Sequence, residues 1–235
     1  MEVIYEDNHI IIVNKAPGEI VQGDKTGDTP LLDIVKQWIK ETHAKPGNVF
    51  LGVVHRLDRP VGGLVIFAKT SKALSRLNDM FRNGAVHKTY WALTRNRPPK
   101  DTELLTHYIT TVERNNKSYA SLTPKAGAKE SRLRYRTIAV GDRLSLVEIK
   151  LLTGRKHQIR VQMSSIGCPI RGDLKYGDKR SNPDGSISLI ARRITFTHPV
   201  SGKEIDITAP VPDERVWRDL EAISINNRKN QEQID

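Results

Sequence analysis

Short apolar runs separated by turn residues constrain the fold of this chain more than any other feature. Val3-Ile4-Tyr5 and Ile10-Ile11-Ile12-Val13 flank Glu6-Asp7-Asn8, the pattern of two strands joined by a turn, and Pro17-Gly18 ends the unit. Phe50 to Val54, Leu64 to Ala68 and Lys88 to Thr94 read as further strands. Others fall near 104–112 and 117–123, in a pair around Gly141-Asp142 that ends at Leu151-Leu152, and in a late pair, Ile187 to Thr197 and Glu204 to Thr208. Helical spacing is sparser. Leu31, Leu32, Val35, Trp38 and Ile39 share one face, with Asp28 or Thr29 as the cap and Pro30 in the first turn. Ser71 to Asn83 turns Leu74, Leu77, Met80 and Phe81 inward and stops at Gly84. Thr153-Gly154 opens a helix from Lys156 to Ile166 with Ile159, Met163 and Ile166 as its buried stripe, and Asp213 to Leu220 is a short helix. Strands outnumber helices and often follow one another directly. The fold class expected is therefore α+β with a mostly antiparallel sheet. Residues 1–222 are expected to form one domain, and the polar residues 223–235 a disordered tail.

Composition narrows the class of partner. Lys and Arg number 38 against 27 Asp and Glu, a formal net charge of +11 over 235 residues. An excess of that size suits a polyanion, because cations that neutralise phosphates gain affinity from counterion release. A merely basic enzyme fits the same number. The single cysteine, Cys168, excludes an internal disulfide and a cysteine-built metal site, and suits a reducing compartment such as the cytoplasm. No apolar run approaches the roughly 18 residues that span a bilayer. The acidic start, Met1-Glu2-Val3-Ile4-Tyr5-Glu6-Asp7, is not a signal peptide.

Three clusters carry chemical potential. In the first, Arg56-Leu57-Asp58-Arg59 lies in a loop from His55 to Gly63, marked by Pro60 and the pair Gly62-Gly63. Flanking guanidinium groups favour an ionised carboxylate, which can act as nucleophile or general base. The commoner fate of such an Asp is to cap a turn or pair with a surface Arg. The second is Thr153-Gly154-Arg155-Lys156-His157-Gln158-Ile159-Arg160. His157 and Arg160 share a helix face, while Arg155 and Lys156 fall in the first turn, where cations oppose the helix dipole unless they meet an anion. A solvated basic helix end gives the same pattern. In the third, Lys88-Thr89-Tyr90-Trp91, the two aromatic rings point to opposite faces of a strand, so one enters the core and the other can offer a ring to a base. Packing of both is the alternative. A basic stretch, Lys125, Lys129, Arg132, Arg134 and Arg136, is a candidate for backbone contacts or an exposed charged hairpin.

In combination these motifs resemble the RluA-type pseudouridine synthases. The likeness rests on His55-Arg56-Leu57-Asp58 with Gly63, the Lys88/Tyr90 strand, Thr153-Gly154-Arg155-x-His157-Gln158-Ile159-Arg160, and Gly167-x-Pro169-Ile170-x-Gly172-Asp173. It runs in order from about Val3 to Pro210. It implies a catalytic domain built on an extended, mostly antiparallel sheet with flanking helices. It implies Asp58 as the catalytic aspartate, Arg160 as the arginine that pairs with it, Tyr90 stacked on the uracil, and Arg56 entering the RNA stack. Arg59, Lys88, Arg155, Lys156 and His157 are the further candidates for RNA contact. Neither metal nor organic cofactor is implied, the partner is ribosomal or transfer RNA, and a monomer is the default. Two departures stand out. Val61-Gly62-Gly63 replaces a Thr-Ser-Gly run, which leads us to expect a looser loop, and Ile190 stands where a histidine is common. Some relatives carry a small N-terminal RNA-binding domain of the S4 type, which this chain is expected to lack. The readings set against the enzyme are a non-catalytic RNA-binding or ribosome-assembly protein, which has no need of Asp58, and a metal-dependent nuclease built on His55, Asp58 and His157.

Overall fold

Residues 1–232 are described in the computed structural model of the chain, and they form two compact units. The first comprises Met1–Lys88 and Ala191–Ala209; the second comprises Thr89–Ile190 and the chain from Pro210 onward. The chain passes from one unit to the other after Lys88, after Ile190 and after Ala209.

The first unit is built on β1 (Glu2–Glu6), β2 (Ile10–Lys15), β3 (Gly52–Val53), β4 (Gly62–Ala68) and the later parts of the chain described below. β2 pairs antiparallel with β1 and with β4, and β3 pairs with the end of β4. Every residue of β4 is buried, and Ile10 to Val13 of β2 are fully buried. Such near-continuous apolar runs are those of strands covered on both faces. Helix α1 (Leu31–Thr42) buries Leu31, Val35 and Ile39. Its N-cap is Pro30, with no side-chain cap, because the Asp28 carboxylate lies 2.7 Å from Arg59 instead. The expected Asp28 or Thr29 cap is corrected accordingly. Helix α2 (Ser71–Arg82) begins as a cap should: the Thr70 hydroxyl accepts from the Ala73 amide at 3.1 Å. It packs Ala73 and Leu77, with Leu74, Met80 and Phe81 at the margin, against Ile10, Ile12, Leu64 and Ile66.

The second unit is a meandering sheet. Strand β5 (His87–Thr94) enters it at Thr89, and β6 (Thr102–Val112), β7 (Lys117–Ser121), β8 (Lys129–Val140) and β9 (Ser145–Leu151) follow. The spatial order is β5-β9-β8-β6-β7, antiparallel throughout. The basic stretch is therefore mostly the long central strand β8, and not an exposed hairpin. Its residues alternate, with Leu133 and Tyr135 buried and Arg132, Arg134 and Arg136 exposed. Helix α3 (Gln158–Ser165) lies on one face of this sheet. There Gln162 reaches His107 and Val161 packs on Ile109.

The chain then returns through β10 (Leu189–Thr197), whose residues from Ala191 belong to the first unit and lie beside β4, and β11 (Glu204–Thr208), antiparallel to β10. It ends in α4 (Arg215–Glu232). The expected short helix and frayed tail are corrected, since α4 continues to Glu232. Trp217, Leu220 and Ser224 form its buried stripe, and the Asn227 side chain donates to the Ile138 carbonyl at 3.1 Å. Polar composition hides this helix because only one narrow stripe of it is apolar. Residues 233–235 of the expected tail lie outside the described residues.

Gly62 and Gly63 do not loosen the loop, contrary to expectation. They start β4, where Gly63 pairs with Lys15. A Cβ on Gly63 would sit 2.4 Å from the Ala191 carbonyl oxygen, and its φ is +108°. Only a residue without a side chain admits that approach. Gly63→Ala is expected to destabilise the protein by about 3 kcal/mol or more, measured by urea denaturation, because backbone on both sides leaves nothing flexible to yield.

Candidate active site

The residues singled out from sequence fall into two sets, one in each unit. In the first unit, Asp58 is half-buried in the loop between β3 and β4. The loop folds as a turn, the Val61 amide donating to the Asp58 carbonyl at 3.0 Å, and the Arg59 carbonyl accepts from the Gly18 amide at 2.8 Å. Beneath it lies a group that sequence reasoning misses. The Lys15 side chain is 1% exposed, and its ammonium donates to the carbonyls of Ala16 (2.9 Å), Arg59 (3.2 Å) and Val61 (2.7 Å). Those three bonds use all its donors. Burial pushes the Lys15 pKa down to about 8, opposed by the nearby carboxylates of Glu19 and Asp58. The only hint in the sequence is a lysine closing an apolar strand just before Pro17-Gly18.

The remaining first-unit candidates are placed unevenly. Arg56 is exposed at the loop. Arg59 turns its guanidinium to Asp28. His55 is structural: its Nε2 accepts from the Ile66 amide at 3.0 Å, and its ring stacks on Phe81 at 4.9 Å. Burial pushes its pKa down to about 3, so it is neutral at ordinary pH. The Lys88 ammonium sits 5.2 Å above the same Phe81 ring, and burial lowers its pKa as well. A desolvated ammonium over an aromatic face is already engaged, which sets Lys88 apart from a surface phosphate contact.

In the second unit, Arg160 is 6% exposed and grips Asp173, itself 1% exposed, with a bidentate pair at 2.7 and 2.9 Å. Its guanidinium also lies 4.9 Å from the Tyr176 ring centroid. The Tyr176 hydroxyl accepts from the Ser118 amide at 2.8 Å and shares a 2.8 Å hydrogen bond with His157 Nδ1. Sequence gives Asp173 and Tyr176 no role, although Gly172-Asp173 is part of the resemblance. A fork that already holds one carboxylate is fixed in plane, which is what recognition of a second planar anion requires.

The start of α3 differs from expectation. His157 is the N-cap, at φ +56°, and the helix begins at Gln158. Arg155 and Lys156 therefore precede the helix, and the dipole argument does not apply to them. Both are exposed; Lys156 pairs with Glu113 at 2.9 Å, and Arg155 donates to the Glu130 carbonyl at 3.4 Å. Gln158 closes the turn by accepting from the Arg155 amide and the Thr153 hydroxyl, both at 2.9 Å. His157 is buried and touches Tyr176, so it lies behind Arg160 and away from the surface. Tyr90 and Trp91 are both 6% exposed. Trp91 joins Trp217 and Leu220 in the core, whereas Tyr90, opposite Ile149, is on the sheet face that α3 covers. Among the described residues, no three His, Cys, Asp or Glu side chains are grouped to hold a metal ion.

The Asp58 turn belongs to the first unit and the Arg160–Asp173 clamp to the second, both on an α+β scaffold. Residues 9–165 match the family described as RNA pseudouridylate synthase, and the chain belongs to that family. It is 30% identical to the ribosomal large subunit pseudouridine synthase D of Zymomonas mobilis, over 91% of this chain and 70% of that protein. It is 31% identical to the tRNA pseudouridine synthase C of Pectobacterium carotovorum, over 89% of this chain and 58% of that protein, so it spans little more than half of that relative. The solved structure titled human RNA pseudouridylate synthase domain containing 4 superposes with a TM-score of 0.75 at 22% identity, covering 96% of this chain and 92% of that one. That likeness carries the α+β fold.

Two outcomes follow from the site. Asp173→Asn is expected to cost about 3 kcal/mol in urea denaturation, because it takes the charge of a bidentate carboxylate away from a buried guanidinium. Lys15 binds its proton less tightly in the folded state (about 8) than in the unfolded state (10.5), so between those values the unfolded chain carries more protons and this group makes stability rise with pH. Lys15→Met should flatten the stability profile across that window while lowering stability by about 1–3 kcal/mol for the three ammonium–carbonyl bonds lost.

Proposed function

We propose that this chain isomerises a uridine to pseudouridine within a structured ribosomal or transfer RNA, with Asp58 as the catalytic carboxylate. The observation that carries the assignment is the Asp58 loop, whose backbone is held from beneath by the three-way Lys15 ammonium. A carboxylate in such a turn stays in place while a nucleotide is brought to it.

A stacked uridine keeps its N1–C1′ bond out of reach, so it is flipped out at a cost of a few kcal/mol. Arg56, exposed at the loop, takes the vacated place in the RNA stack. Tyr90 packs on the uracil ring, and base–aromatic stacking of about 1–3 kcal/mol offsets much of the flipping cost. Arg160, held flat by Asp173, is assigned the part of the arginine that keeps the catalytic carboxylate ionised. The N1–C1′ bond breaks, the base turns, and a C5–C1′ bond forms; the proton lost from C5 is balanced by the one gained at N1. Atoms and electrons balance with no redox partner, nucleotide or metal. Arg59, Arg155 and Lys156 are exposed and serve phosphate contacts, while Lys88 is engaged with Phe81 and His157 with Tyr176. One copy of the chain in the cytoplasm is the working unit of this reading, and no described helix is long and apolar enough to cross a membrane.

Asp58→Asn is expected to abolish pseudouridine formation while leaving RNA affinity within a few-fold of the parent, read by pseudouridine mapping and by filter binding on the same RNA. A variant that still forms pseudouridine at the parental rate removes Asp58 from the chemistry. Loss of affinity together with activity makes Asp58 an RNA-binding residue, and a parent that binds the RNA but forms no pseudouridine favours the non-catalytic RNA-binding reading.

A further inference from the structure

The second-unit sheet has two faces. One carries Tyr90, Leu133, Tyr135 and His107 beneath α3. The other carries Trp91, Leu93, Ile138 and Leu146, which α4 covers with Trp217 and Leu220. Beyond α4 this outer face continues across four strands, β9, β8, β6 and β7, with no apolar cover among the described residues. Arg134 of β8 sits between Leu104 of β6 and Lys150 of β9, its direct register partners. Arg132 and Thr106 lie in the next row, and Tyr108, Thr110 and Tyr119 extend the face to the sheet edge.

Its charges are arranged unlike those of an ordinary solvated face. The strands offer Arg132, Arg134, Arg136 and Lys150 against two carboxylates, and both carboxylates are engaged. Glu130 lies 3.3 Å from Arg132; Glu148 lies 3.2 Å from Arg136 and 3.4 Å from Arg228 of α4. Arg134 and Lys150 have no ion-pair partner among the described residues, and they stand directly opposite each other. Like charges in that register destabilise a sheet. Beside them Leu104 is 45% and Tyr119 46% exposed, giving apolar and aromatic surface next to the cations. Phosphates that neutralise the facing cations and bases that cover the exposed rings together describe one occupant.

We propose that this outer face, centred on Arg134 and Lys150, is a second RNA-binding surface, and that it takes a segment of the substrate RNA distant from the target uridine. The assignment rests on the reading of the chain as an RNA-modifying enzyme. It deepens that reading, because a surface on the sheet face opposite Tyr90 is reached only by an RNA large enough to extend around the sheet. It therefore points to an extended folded substrate in preference to an isolated hairpin.

The test compares the full protein with an Arg134→Gln/Lys150→Gln double variant on two probes, a transcript of a large-subunit ribosomal RNA domain and a short uridine-containing hairpin. On the long transcript the slope of log affinity against log salt should fall by about 1.5, because two phosphates go unneutralised, and affinity should fall roughly tenfold at physiological salt. KM should rise with kcat unchanged, and hairpin binding should not change. Arg134→Lys, which keeps the charge, should behave like the parent. An unchanged salt slope on the long transcript overturns the proposal. So does an equal loss on the hairpin, which places the cations at the target site. Asp58→Asn should keep the parental slope, which separates the two readings. If the parent forms no pseudouridine but the double variant still loses slope, the catalytic reading falls and this surface stands. If pseudouridine forms and the slope is unchanged, the surface falls alone.

Discussion

A single buried ammonium organises the turn between β3 and β4. Lys15 ends β2, a strand whose preceding residues are mostly fully buried, and instead of reaching solvent it turns under the loop that bears Asp58. Its burial is costly, as the depressed pKa shows, and three backbone carbonyls compensate. The same strand pairs with Gly63 through that residue's backbone, so the side chain and the main chain of Lys15 hold two ends of one loop. Gly63, pressed against the Ala191 backbone, fixes where the following strand starts. The Asp58 turn is therefore bounded by two close contacts, one ionic and one steric.

The second unit solves a similar problem with different groups. A buried guanidinium needs a partner and a plane. Asp173 supplies the first and Tyr176 the second. Tyr176 is held in turn by the Ser118 amide and His157, so a strand, a helix cap and a loop meet at one hydroxyl. His157 takes a left-handed backbone conformation to get there, which is why α3 begins later than its apolar spacing suggests.

The parts of this molecule that follow from periodicity are legible in the sequence. The β1–β2 pair, the amphipathic faces of α1 and α2, the strand of Lys88 to Thr94 and the late β10–β11 pair appear where alternation and helical spacing place them. What sequence cannot reveal depends on partners distant in the chain. Lys15 looks like any strand-end lysine until Arg59 and Val61 are brought over it. Asp173 and Tyr176 acquire meaning only beside Arg160. Arg132, Arg134 and Arg136 read as a basic run because the intervening Leu133 and Tyr135 are too few to announce a central strand. The long α4 escapes notice for a related reason: its stripe is narrow, and the strand surface that receives it lies far back in the sequence.

The division of the chain also affects how it is made. The first unit is assembled from Met1–Lys88 and Ala191–Ala209, so β4 waits for its neighbour β10 until the whole of Thr89–Ile190 has been synthesised. The second unit, apart from its final helix, is contiguous between them. During elongation on the ribosome, the meander has all its strands before β4 has β10, and until then the opening segment holds the unpaired edge of β4 in the company of α2. Closing that gap is a long-range event of the kind that slows folding. The seating of Gly63 against Ala191 therefore waits until nearly the whole polypeptide has emerged.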